Sequence, residues 1–158
     1  MKEEKIQISL KKYDSIQELP VKEQELCRLT KDFAKNAYAP YSNFRVSAVA
    51  LLTNGAIVKG TNVENASYPV GICAERTLIG HAVSNYPEEA IETLVIYVDK
   101  DLQRFVSPCG LCRQSLLETE TNQNSPIKIL LLSFKGEILQ INRAKDLLPL
   151  SFNNTDLA

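Results

Sequence analysis

The tightest constraint on the fold of this 158-residue chain is the placement of three cysteines in two short runs, Cys73-Ala74-Glu75 and Pro108-Cys109-Gly110-Leu111-Cys112. Residues three apart share one side of a helical turn, so Cys109 and Cys112 face a single ion if a helix begins at the second run. Pro108 suits such a beginning, because the first turn has no use for the donor that proline lacks. The first run obeys a different geometry. Residues two apart point to roughly opposite sides of a continuous helix, so Cys73 and Glu75 reach one metal only if Cys73 stands at the helix entrance. Pro69 and Gly71 supply the break that puts it there. The fold must therefore bring two helix N-termini together. Their unpaired backbone N–H groups and macrodipoles favour thiolates at that junction.

Three thiolates, Cys73, Cys109 and Cys112, with the Glu75 carboxylate beside them, predict one zinc ion (Zn²⁺) whose fourth position is open to water. That arrangement makes hydroxide and moves a proton, and it points to hydrolytic deamination of a nucleobase. Three thiolates on a divalent cation leave a negative centre, a poor generator of hydroxide. Arg76, directly after Glu75, is placed to hydrogen-bond the sulfurs and draw charge off them. Taken alone, Cys-x-x-Cys also fits a redox pair, half of a structural zinc site or two core thiols. A redox pair needs no third cysteine, whereas a closed structural site needs a fourth protein ligand, for which Cys27 and His81 are the candidates. Cys27 falls on the apolar stripe of an expected helix, where buried free cysteine is common. His81, the single histidine, is most simply a packing or surface residue.

A hydrophobic fraction of 44% is enough for one substantial core, and the expected division is an N-terminal arm over 1–20 and a single domain over 21–158. Lys+Arg 18 against Asp+Glu 19 gives a net charge of -1, without the cationic excess that grips a phosphate backbone. A small uncharged or weakly charged substrate is expected, and neither nucleic acid nor membrane is an expected partner. The charged start Met1-Lys2-Glu3-Glu4-Lys5 leads into no apolar signal segment, and no run reaches membrane-spanning length. Cysteines placed for metal rather than for a disulfide framework suit a reducing compartment, the cytoplasm.

Along the chain, Ile6, Ile8 and Leu10 alternate among lysines, so the arm either adds an edge strand or stays partly ordered. Leu26, Leu29, Phe33, Ala34 and Ala37 keep helical spacing over 21–37, and Pro40 ends that helix. Residues 46–53 read as a buried strand, Asn54-Gly55 as a hairpin turn and 56–59 as the return strand. The helix opened by Cys73 carries Leu78, Ile79, Ala82 and Val83 inward. Residues 91–98 form a continuous apolar strand, the Cys109 helix runs through Leu116 and Leu117, and 127–134 and 137–141 are strands joined at Lys135-Gly136, before a short helix over 144–148. The order α-β-β-α-β-α-β-β predicts an α/β fold of three α/β/α layers around a central mixed five-stranded sheet, with the Cys109 helix in a right-handed crossover.

From about Lys22 to Leu157 the chain resembles the small homotetrameric cytidine deaminases of pyrimidine salvage. Four blocks carry the resemblance: Tyr41-Ser42-Asn43-Phe44-Arg45-Val46, Asn62-Val63-Glu64-Asn65-Ala66-Ser67-Tyr68-Pro69, Ile72-Cys73-Ala74-Glu75-Arg76-Thr77 and Pro108-Cys109-Gly110-Leu111-Cys112-Arg113-Gln114. The resemblance implies one zinc per subunit and ribose hydroxyls held by Asn62 and Glu64. It further implies a pyrimidine ring packed against Phe44, a base edge at the Ala74 backbone, and Phe152 closing a site, commonly a neighbouring subunit's. Tyr41 and Tyr68 match positions at or near subunit contacts. Three departures stand out: Ser47 replaces a usual glycine, Asn153-Asn154 stands where Gly-Pro is common, and Leu111 replaces a smaller residue and is expected to tighten packing under the zinc.

The mechanism so implied has Glu75 take a proton from zinc-bound water, protonate the ring nitrogen beside the amino-bearing carbon, and relay a proton to departing ammonia, giving uridine or deoxyuridine. A polynucleotide-editing deaminase would want a basic groove and stacking aromatics, which the charge balance disfavours. A deaminase of nucleoside-like antibiotics is disfavoured by the Asn62/Glu64 pair. A non-enzymatic zinc protein has no need of Glu75 beside an open coordination position.

Overall fold

In the computed structural model, residues 1–157 are described. The main elements follow in the order β1 (Leu10–Tyr13), α1 (Val21–Phe33), β2 (Val46–Leu52), β3 (Ile57–Thr61), α2 (Ala74–Asn85), β4 (Ile91–Val98), α3 (Gly110–Asn122), β5 (Lys128–Leu132) and β6 (Ile138–Ile141). From Val21 onward this is the succession expected from periodicity. The sheet order is β1-β6-β5-β4-β2-β3. Strands β4 and β5, joined through α3, run parallel, and the other neighbours are antiparallel.

The sheet has six strands among the described residues, not five. The extra one comes from the arm: Leu10–Tyr13 pairs with β6 in the register Leu10↔Ile141 to Tyr13↔Ile138. Tyr13 Oη donates to Gln140 Oε1 at 3.0 Å and Lys12 pairs with Glu137 at 2.9 Å. Lys11 and Lys12 leave the outer edge of this strand charged, which discourages further strand addition.

Alternation along the central strands builds two cores. Ala48, Ala50 and Leu52 of β2 join Leu94 and Ile96 of β4 beneath Leu78 and Ala82 of α2 and Leu116 of α3. On the other face Val49, Leu51, Val95 and Tyr97 meet Leu26, Cys27 and Ala34. The result is three layers, α1 on one side of the sheet and α2 with α3 on the other. A fully buried Leu or Ile is worth about 1.5–3 kcal/mol here relative to exposure. The apolar run Leu94–Val98 that follows Glu92 and Thr93 in β4 is what a central strand covered on both faces requires.

Several local expectations are corrected. Helix α1 stops at Phe33 and tightens into a 3-10 turn over Ala34–Asn36, so Ala34 N–H bonds Lys31 O. Ser47 Oγ then donates to the Thr30 carbonyl at 2.6 Å from within the core, which gives the serine in place of glycine a structural role. Val83 is 57% exposed, because Leu78, Ile79 and Ala82 fill the width of α2 that meets the sheet. The short helix over 144–148 is a 3-10 turn, Ala144–Leu147.

Candidate functional site

The site lies at the sheet end where β2 begins and β3 and β4 finish, since Val46 pairs with Val98 and Ser47 with Thr61. Helices α2 and α3 both start there. Before α2, Tyr68–Val70 forms a 3-10 turn with Pro69 in its first positions, and Val63 and Ile72 exchange backbone hydrogen bonds at 2.9 and 3.0 Å. That bridge closes the loop and delivers Cys73 at the N-cap of α2 with extended backbone, φ -76° and ψ 154°. Cys109 is the N-cap of α3 in a similar conformation, φ -67° and ψ 170°. Neither sulfur caps its own helix. Instead Cys73 Sγ lies 3.8 Å from Cys109 Sγ, which is 3.5 Å from Cys112 Sγ, and all three fall within 4.8 Å of one another.

Those separations suit one tetrahedral zinc: with Zn–S near 2.3 Å, the sulfurs of a regular site stand about 3.8 Å apart. Left to themselves the thiols compete for protons. The contact with Cys112 pulls Cys73 below the ordinary thiol range, and the same contact pushes Cys112 up. A soft trio of this kind, part-deprotonated and converging, fits zinc in its donor chemistry. Three protein ligands also leave a fourth position, as a catalytic rather than a closed structural site does.

Glu75, in the first turn of α2, is only 5% exposed. Burial pushes its carboxyl above the usual carboxylate range, opposed by hydrogen bonds from its own backbone N–H and from Cys112. A buried carboxyl with a raised pKa beside the sulfurs is suited to take up and give back a proton. Arg76 makes no side-chain hydrogen bond among the described residues. Its charge lowers the Cys73 thiol, as the smallest of the contributions.

A cavity of about 470 Å³ opens over this end of the sheet, lined by Tyr41, Phe44, Asn62, Glu64, Tyr68, Cys73, Ala74, Glu75 and Cys109 among others. The volume lies within the range of about 300–1,000 Å³ usual for small-molecule sites. Asn62 Oδ1 accepts from Val46 N–H and Nδ2 donates to Phe44 O, both at 2.8 Å, so one amide ties both flanks of the Phe44 turn. Glu64 accepts from Tyr41 N–H at 2.9 Å, Ser42 N–H at 3.3 Å and Ser42 Oγ. Those bonds, the Ser42 hydroxyl foremost, hold its carboxyl below the usual range. Tyr41 and Tyr68 meet edge to face with centroids 6.3 Å apart, and Tyr68 is 77% exposed.

The structure thus lines the cavity with every site residue expected from the sequence except three. Cys112 is buried just behind the other sulfurs, Arg76 lies outside the cavity lining, and Phe152 does not line it within its own chain. The Phe152 ring is 60% exposed, and its carbonyl accepts from Gln114 Nε2 at 2.9 Å. Leu111 does not pack under the sulfurs: it is 68% exposed. Two residues past Cys109, it is turned about 200° around the helix from it. Sequence reasoning passed over Ser42, Gly60 and Arg113. Ser42 and Arg113 stood in quoted blocks but carry no periodic signal, and the reach of Arg113 to Leu147 and the closeness of Gly60 to α2 depend on segments distant in the chain.

Residues 20–125 match the family described as "Cytidine and deoxycytidylate deaminase zinc-binding region". The chain is 38% identical to a cytidine deaminase of Halalkalibacterium halodurans over 78% of this chain and 88% of that one. It is 37% identical to a cytidine deaminase of Sporosarcina psychrophila over 85% and 94% respectively. The solved structure of a cytidine deaminase from Burkholderia pseudomallei superposes with a TM-score of 0.70 at 32% identity, covering 81% of this chain and 97% of that one.

Proposed function

The chain belongs to the zinc-dependent cytidine and deoxycytidylate deaminase family, and from that premise we propose that it hydrolyses cytidine and 2'-deoxycytidine to uridine and 2'-deoxyuridine in pyrimidine salvage. The observation that carries the reading is that Glu75, the sulfurs of Cys73 and Cys109, and the polar pair Asn62 and Glu64 face one cavity. In it Phe44 packs against the pyrimidine, the Ala74 backbone meets the base edge, and Asn62 and Glu64 receive the sugar hydroxyls. Asn62 keeps a free amide N–H and Glu64 keeps lone pairs after their contacts to the Phe44 turn are counted.

Cys73, Cys109 and Cys112 hold the zinc, with Arg76 offsetting part of their charge. When bound, the metal would supply the Lewis acidity that makes a water molecule acidic enough to attack. Glu75 accepts a proton from the attacking water and delivers it to the ring nitrogen beside the amino-bearing carbon. As the water oxygen bonds to the amino-bearing carbon, Glu75 takes that oxygen's second proton and passes it to the amino group; the C–N bond breaks as the C=O forms, so that nucleoside plus water balances deaminated nucleoside plus ammonia. The buried position of Glu75 keeps bulk water from short-circuiting these transfers.

A homotetramer belongs to the same proposal. It is supported by the exposed apolar side chains Tyr41, Tyr68, Leu150 and Phe152 at and beyond the cavity mouth, surface that a neighbouring subunit would cover. Phe152 then completes a neighbour's pocket. A cytoplasmic location suits four cysteines that form no disulfide, three of them read as zinc ligands; no helix of the described residues is long and apolar enough to cross a membrane.

Glu75→Gln tests the mechanism. Zinc content is expected to stay at one per chain while turnover, followed by ultraviolet loss of cytidine, falls by about 10²–10⁴-fold. Full activity in a zinc-loaded variant would end the assignment. Offering cytidine, deoxycytidine and cytosine in single-stranded DNA side by side settles the substrate class, and turnover of the DNA alone refutes the nucleoside reading.

A further inference from the structure

We infer that Arg113 is a positioning residue that couples the C-terminal segment to the cysteine trio. One guanidinium makes three hydrogen bonds: Nε donates to Pro108 O at 2.9 Å, Nη2 to Ser107 Oγ at 3.0 Å and Nη1 to Leu147 O at 3.2 Å. Two of these hold the residues that lead directly into Cys109. The third holds the end of the 3-10 turn Ala144–Leu147. Its neighbour Gln114 grips the same segment farther on, at the Phe152 carbonyl. The first turn of α3, which carries Cys109 and Cys112, therefore also carries both donors that fasten the tail.

The location of Cys109 depends on such contacts. Among the described residues there is no helix or strand between Val98 and Gly110, so no ladder fixes the approach to this cysteine. A guanidinium is a planar fork with fixed directions, so displacing the Leu147 carbonyl misaligns the bonds to Ser107 and Pro108 on the same group. A lysine at this position would keep the charge and lose that shared geometry. Groups that orient a metal ligand without touching the metal are the usual determinants of how tightly it is held. The tail at the other end of the turn is pinned independently, by Glu120 accepting from Ala144 N–H at 2.6 Å and Lys145 N–H at 3.2 Å. Movement of the tail is thus confined to the part beyond Lys145, the part that Arg113 and Gln114 hold.

Coupling of this kind is reciprocal: if tail docking steadies the zinc site, zinc steadies the tail by the same factor. The inference rests on the reading of the trio as the zinc site. Zinc content of the wild-type protein is therefore measured first, and a metal-free wild type fails that reading rather than this one. Zinc-loaded wild type and Arg113→Lys are then mixed with a chromogenic chelator, and release from the variant is expected to be about tenfold faster or more. In parallel, hydrogen exchange of the 144–157 peptide is followed in wild type with zinc and after stripping. Exchange is expected to quicken on stripping in wild type, and that response is expected to shrink in Arg113→Lys. A merely structural arginine would lower thermal stability without making tail exchange depend on zinc. Equal zinc release from the two proteins, or a wild-type tail indifferent to zinc, overturns the inference. The wild-type half of the second arm stands even if the variant does not fold.

Discussion

Replacing Gly60 by alanine probes how closely the sheet and the helix that bears the proton carrier must approach. Gly60 lies in β3 under the first turn of α2. A methyl carbon there would meet the Ala74 carbonyl oxygen at 2.5 Å, the Leu78 nitrogen at 2.6 Å and the Leu78 Cα at 3.0 Å. All three are backbone atoms, so no side chain can swing aside. Comfortable contacts to carbon begin near 3.5 Å, which means that β3 and α2 must part by about 1 Å. Overpacking of this sort costs about 1–3 kcal/mol. For a chain of this length each kcal/mol lowers Tm by roughly 2–4 °C. The displaced turn carries Cys73, Ala74 and Glu75, and a misplacement of about 1 Å at reacting groups can cost on the order of 10²-fold in rate. Calorimetry of the zinc-loaded variant gives the first quantity, and kcat/KM on cytidine by ultraviolet absorbance gives the second. Wild-type Tm together with wild-type kcat/KM in Gly60→Ala would refute the reasoning. A lowered Tm with unchanged kcat/KM would show that β3 yields instead of α2, leaving Glu75 in place.

Ser47→Ala removes the hydroxyl that serves the Thr30 carbonyl inside the core; an expected loss of about 1–3 kcal/mol, read as a lower denaturation midpoint, should come with an unchanged KM. An unaltered midpoint would mean that the helix end satisfies this carbonyl by other means. Cys27 is fully buried and burial pushes its thiol up to about 12, so the native state keeps a proton that the unfolded chain releases near pH 8.5. The sign follows: this contribution to stability is complete below about pH 8.5 and is lost as pH rises toward the folded value. Alkaline denaturation should therefore flatten in Cys27→Ala relative to wild type, and peptide mapping after alkylation at pH 8 should find Cys27 unmodified until the chain unfolds. Rapid modification of Cys27 in native protein would contradict its placement.

The sequence by itself determined the chemistry of the metal site and the succession of elements after Val21. Both are local properties. Helical spacing decides that Cys109 and Cys112 share a side, and Pro69 with Gly71 decides that Cys73 enters a helix rather than lying within one. The apolar run over 94–98 announces a strand covered on both faces before any partner is known. What only the tertiary structure decided are matters of which distant segments meet. β1 gains its place because β6, far away in the chain, leaves an edge open. Gly60 is required because α2 crosses β3 at backbone contact, which no period in either segment encodes. Arg113 reaches Leu147 across 34 positions, and Ser47 reaches Thr30 across 17. Leu111 and Val83 faced water although their residue types suggested packing, because exposure is set by the width of helix that a neighbour covers. Apolar periodicity reports which faces are apt for burial, and only the packed chain allots the neighbours that bury them.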